Sequence, residues 1–157
     1  MRYPLALIPF CMSVANCQAN DVNHIRTLYY RAAELGQTRQ FMQTMERTDV
    51  TKSPVLLCYK GIACMMAAKE GINPYTKLRE FNRGKAMIQE AVKRDPQNAE
   101  IRFLRYGAQT NAPSFLGYNK NVEEDEAFLI GQLASVTDAD LRKRIAGYLS
   151  RVSVTTE

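Results

Sequence analysis

Histidine is almost missing from this chain, with His24 alone among 157 residues. A zinc site needs several closely spaced His or Cys ligands, and a nucleophilic triad needs a histidine ordered by an acid. Neither can be built around one imidazole without recruiting distant groups, so His24 reads as a surface residue of the first helix. No glycine-rich phosphate cradle and no nucleophile elbow occurs. Period-two alternation is missing too, which removes half-buried strands. These absences exclude the commoner hydrolytic, phosphoryl-transfer and metal chemistries. They point to a protein that binds rather than catalyses, with no cofactor and no metal.

Cysteine is also scarce once the start of the chain is considered. Arg2 opens an apolar stretch from Tyr3 to Val14, too short for a bilayer span of about 20 residues. Small residues follow in two overlapping cleavage patterns, Ala15-Asn16-Cys17 and Cys17-Gln18-Ala19. Residues 1–19 read as a secretory signal cleaved after Ala19, and residues 20–157 as a single all-helical domain. The rival is a lipoprotein signal with Cys17 lipidated, against which Asn16 argues. Either way the protein is expected to be exported, to the periplasm or beyond the cell. Cys58 and Cys64 then remain, six apart on one helix. That spacing puts them about 9 Å apart along the axis, beyond the roughly 7 Å a disulfide spans, so both are expected to be buried thiols.

What is present suits one globular domain: 46% of residues are hydrophobic and 24% charged. Without residues 1–19 the chain keeps 20 Lys plus Arg against 16 Asp plus Glu, a net charge of +4. The cations are spread over every helix, so nucleic acid is not expected as a partner.

Helical spacing runs nearly from end to end. Val22, Ile25, Leu28, Ala32 and Leu35 recur at three and four, closed by Gly36. Phe41, Met42 and Met45 mark a second helix. Ser53-Pro54 opens a third that runs to about Glu70, with Leu57, Ile62, Met65 and Met66 inward and Gly71 as its stop. Met65 and Met66 beside the cysteines read as helical core rather than a copper site. A loop at Gly71–Tyr75 precedes a fourth helix capped by Thr76, whose inward positions include Leu78, Phe81, Ile88 and Val92. Asp95-Pro96 ends it, and Asn98 opens a fifth. Gln109 to Lys120 reads as an apolar loop docked on the core. Val122 to Leu133 forms a sixth helix, and Thr137 with Asp140 boxes the start of the last.

Leu57, Gly61 and Cys64, followed by Gly84, Ile88, Ala91 and Pro96, resemble a tetratricopeptide repeat, in which small residues let two helices pack closely. The resemblance implies an array of antiparallel helix hairpins, about seven helices, that binds a protein or peptide partner. The chain departs from the pattern in separating Gly61 from Gly84 by 23 residues, about three helical turns more than such repeats use. Arg102 and Tyr106 also replace the usual apolar and glycine positions of the next unit. Glu100-Ile101-Arg102-Phe103-Leu104-Arg105, with Phe115 to Asn121 and the acids after it, further resembles a family of short, exported helical proteins of Bacteroides-group bacteria. That resemblance implies an envelope location and no activity.

Arg102, Arg105 and Tyr106 share one helical turn, and two guanidinium groups beside a phenol can hold a carboxylate or peptide. With Tyr118, Asn119 and Lys120 they form the candidate binding set. The competing reading pairs the arginines with Glu123, Glu124 or Asp125 to fix the loop. The run Glu123–Glu126 lacks the alternation of a calcium loop and suits a helix start. In such arrays the first helix of each pair lines a concave face, here the first, third and fifth. The alternative function is an enzyme or small-ligand carrier whose pocket lies beneath the 109–120 loop.

Overall fold

The structure, a computed structural model, describes the backbone of residues 13–155 and the side chains of residues 22–152. Of the expected signal segment, residues 1–12 lie outside the described residues, and residues 13–19 begin the first helix. Among the described residues seven α-helices follow one another: α1 (Ser13–Leu35), α2 (Thr38–Arg47), α3 (Pro54–Glu70), α4 (Pro74–Arg94), α5 (Ala99–Thr110), α6 (Val122–Gln132) and α7 (Ala139–Thr155). Among the described residues there is no strand.

The helix ends follow local chemistry. Gly36 takes a left-handed backbone (φ +69°) that terminates α1 at little steric cost. The Ser53 hydroxyl accepts the Leu56 amide hydrogen at 3.3 Å, with Pro54 in the first turn where its missing N–H is harmless. Asn98 accepts from the amides of Glu100 and Ile101. Two expected caps move. Asn73, not Thr76, caps α4, accepting from Tyr75 at 2.8 Å and Thr76 at 3.3 Å. Its short side chain followed by Pro74 is the better start signal, so α4 begins inside the stretch that reads as a loop. Asp138, not Thr137, caps α7 by accepting from the Leu141 amide at 3.0 Å.

Consecutive helices pair as hairpins, α1 with α2, α3 with α4 and α5 with α6. The first helices of the pairs lie side by side, α1 on α3 and α3 on α5, while α2 also touches α3 and α4 touches α5. The α3–α4 hairpin is the tightest. A Cβ placed on Gly61 would fall 2.8 Å from the Gly84 carbonyl oxygen, and one on Gly84 only 2.5 Å from that of Gly61. The glycine pair singled out by spacing is therefore where two backbones cross in contact.

Two apolar clusters result. The larger joins Ile25 and Leu28 of α1, Phe41 and Met45 of α2, Leu56 to Tyr59 of α3, Ile88 of α4, and Ile101 and Leu104 of α5. The smaller gathers Phe103 and Tyr106 of α5, Leu129 of α6, and Leu141, Ile145 and Leu149 of α7. Helix α5 is the wall between them and is buried on all sides from Glu100 to Tyr106. Met65 and Met66, partly buried, pack against the larger cluster as their spacing predicts. Two inward expectations are corrected. Leu78 is half exposed, because the short helices α5 and α6 do not extend far enough to cover the start of α4. Of the 109–120 stretch, which begins with the last two residues of α5, Gln109 and Tyr118 are buried while Phe115 lies in solvent.

Candidate functional site

Because α5 is enclosed, each polar side chain on it needs a partner within the protein. Glu100 finds its partners on the face where α1, α3 and α7 approach. Arg26 of α1 donates from Nε to Glu100 Oε1 and from Nη2 to Oε2, both at 2.7 Å. Tyr59 of α3 donates its hydroxyl to the same Oε1 at 2.6 Å. Arg26 Nη1 continues to Asp138 Oδ2 at 2.6 Å, the carboxylate that caps α7. One guanidinium thus ties the first helices of the hairpins to the last helix.

The electrostatics follow. Burial and the Glu100 carboxylate beside it push the Tyr59 phenol well above the ordinary tyrosine value. The Leu141 amide and the Arg26 charge hold the Asp138 carboxyl below the usual carboxylate range. Around this network lie two clefts. One, of about 420 Å³, runs between α1 and α7 past Tyr30, Arg31, Glu34, Leu35 and Arg144. Arg144 lies 3.6 Å from the Tyr30 ring centre and donates to Glu34 at 2.8 Å, while Leu35 is 66% exposed at the rim. The other, of about 310 Å³, lies between the start of α5 and residues 132–141. Neither is lined by the 109–120 loop.

Comparison of the chain with family models, curated proteins and solved structures gives no match.

The candidate set named from sequence is divided by the structure. Arg105 grips Asp125 with Nε on Oδ2 at 2.7 Å and Nη2 on Oδ1 at 2.6 Å, and Arg102 Nη1 reaches Asp125 at 2.8 Å and Glu124 at 2.6 Å. Asp125 has no exposed surface. Tyr106 donates to Glu126 at 3.1 Å, and burial with that carboxylate pushes its phenol up to about 12. These three residues therefore lock α5 to α6. Tyr118 is buried, its ring edge-on to Phe81 at 5.7 Å, whereas Asn119 and Lys120 are exposed. His24 is exposed, and among the described residues no group of three His, Cys, Asp or Glu side chains is placed to hold a metal. Cys58 and Cys64 are free and buried.

Sequence reading missed Arg26, Tyr59 and Asp138 entirely. The available signal was Arg26 itself, a cation adjoining Ile25 on an otherwise apolar stripe, but spacing does not say which distant acid answers it.

Proposed function

We propose that the protein is an exported, tetratricopeptide-like helical array that binds an extended polypeptide segment of a partner in the cell envelope. The supporting observation is the α1–α7 cleft, lined by α1 from Asn23 to Leu35 and by Asp138, Asp140 and Arg144 at the start of α7. It offers an apolar rim at Leu35, the Arg31 guanidinium, and Arg144 stacked on the Tyr30 ring and paired with Glu34 and Asp140. Such a mixture satisfies a peptide backbone and a few side chains at once, and does not favour a single small polar molecule. The Arg26–Glu100–Asp138 network fixes the walls, so little ordering is needed on binding. Export is supported by Arg2, the apolar stretch after it and the small residues up to Ala19.

Site-specific photocrosslinking in the native cell tests this reading. A photoreactive residue at Arg31 or Leu35 should give adducts that map to one segment of a defined polypeptide and disappear with excess unlabelled protein. The control position is Lys93, exposed near the end of α4. An adduct pattern at Arg31 and Leu35 identical to that at Lys93 rules the cleft out.

A further inference from the structure

The α3–α4 hairpin ends in a tip that no part of the described chain covers. Ile72 is 97% exposed, Tyr75 76% and Leu78 51%. Tyr75 and Leu78 lie three apart on one face of α4, and Ile72 projects from the turn before it. The tip overhangs because α3 and α4 have 17 and 21 residues while the next hairpin has helices of only 12 and 11. Phe81, one turn further along α4, is where cover begins, with Tyr118 against it and Lys85 over the Tyr118 ring.

Charge gives the tip a preferred neighbour. The tip carries Lys69, Lys77 and Arg79 against Glu70 and Glu80, with Arg83 one turn further along α4, while Lys85 is taken up by the Tyr118 ring. The two acids are already engaged: Glu80 pairs with Arg79 and Arg83, and Glu70 accepts from Thr38. Arg79 and Arg83 nonetheless keep more than half of their side chains in solvent. We propose that this tip docks on an anionic lipid surface, with Ile72, Tyr75 and Leu78 entering the interfacial layer and the surrounding lysines and arginines meeting lipid phosphates.

Three features favour lipid over the other possible occupants. The apolar residues project outward rather than lining a cleft, and both clefts described above are built from other residues. A projecting apolar knob inserts into a soft surface more readily than into a folded one. The mixture of one aromatic, two aliphatic residues and a basic surround is the composition that anionic interfaces retain. A second copy of the chain would bring the same cations face to face, and repulsion opposes that contact.

An environment-sensitive fluorophore on Ile72→Cys, in the full chain with Cys11→Ser and Cys17→Ser, reads the tip directly, since Cys58 and Cys64 are buried. The expected result is a blue shift and gain in intensity with phosphatidylcholine vesicles containing phosphatidylglycerol, weakened by salt and absent with phosphatidylcholine alone. The same label on the exposed Ser135→Cys should not respond. Within the labelled chain, Lys77→Glu with Arg79→Glu should weaken binding roughly tenfold or more, and Leu78→Ser roughly tenfold, without change in melting temperature. No response to anionic vesicles, an equal response at position 135, or binding indifferent to these substitutions overturns the proposal. So does a label response to an acidic peptide without one to vesicles, or concentration-dependent dimerisation of the protein abolished by Leu78→Ser.

Discussion

Gly61 and Gly84 are in backbone contact at the crossing of α3 and α4, with no room for a methyl group on either side. The added Cβ would meet a carbonyl oxygen at 2.8 Å from Gly61 and 2.5 Å from Gly84. Neither oxygen belongs to a flexible side chain, so the helices themselves must separate. Gly61→Ala and Gly84→Ala should each cost about 1–3 kcal/mol in denaturant unfolding, despite alanine's higher helix propensity. Gly147→Ala is the control, because nothing lies within 4 Å of its added Cβ. It should be neutral or stabilising by up to about 1 kcal/mol.

Asp125 answers two guanidinium groups from a position with no solvent. Removing its charge leaves Arg102 and Arg105 buried with only the partly exposed Glu124 nearby. Asp125→Ala should therefore destabilise by about 3–5 kcal/mol, and Arg105→Ala by a similar amount. The outcome also separates two roles for the α5 arginines. Stability loss with intact crosslinking at Arg31 marks a clamp between α5 and α6. Lost crosslinking with unchanged unfolding would restore them as a binding face.

Asp138 should impose a pH dependence at the acid end. Its carboxyl is held below the ordinary value, first by the Leu141 amide and then by Arg26. A depressed acid stabilises the folded state above its unfolded-state pKa and loses that contribution as pH falls through the folded-state value. Unfolding midpoints should fall below about pH 4, and Asp138→Asn, which keeps a capping oxygen, should flatten that fall. A slope unchanged by the substitution would assign the acid sensitivity elsewhere.

Burial pushes the Cys58 thiol well above its ordinary value, and burial also raises Cys64. The folded state therefore disfavours both thiolates, the reactive forms. Disulfide reagents should leave Cys58 and Cys64 unmodified in the native protein and react with both after unfolding. Alkylation of denatured protein should be equal with and without prior reduction. A mass two hydrogens lighter on the peptide holding both would show that α3 unwinds.

Much of the fold was legible because its signals are local. Ser53-Pro54, Gly36 and Asn98 act through groups within three residues of themselves, and each ends or starts a helix where the sequence puts it. The Gly61–Gly84 pair was legible through spacing, as close packing demands small residues on both helices. Leu78 was not, because periodicity marks an apolar stripe without saying whether another helix is long enough to cover it. The acids that answer the α5 arginines were in view from sequence because they follow within about 20 residues. Arg26 and Glu100 lie 74 apart, and no local pattern joins them.

That long-range pair is the most informative place to perturb the candidate site. Arg26→Leu strands Glu100, 8% exposed, with only the Tyr59 hydroxyl as a donor. Glu100→Leu strands Arg26, yet leaves it the Asp138 carboxylate and a path to solvent. The arginine substitution should be the more damaging, at about 3 kcal/mol or more. The double variant should cost less than the sum of the singles, with a coupling energy of about 1–3 kcal/mol, since neither charge is then left alone. Replacing the pair by leucines also removes the tie from Arg26 to Asp138 while preserving apolar volume, leaving Arg144 with Tyr30 and Glu34 as the link between α1 and α7. Crosslinking from Arg31 should then broaden from one segment to several, even where the double variant unfolds normally. If crosslinking stays unchanged while the coupling energy is large, the network holds the fold together and does not shape the cleft.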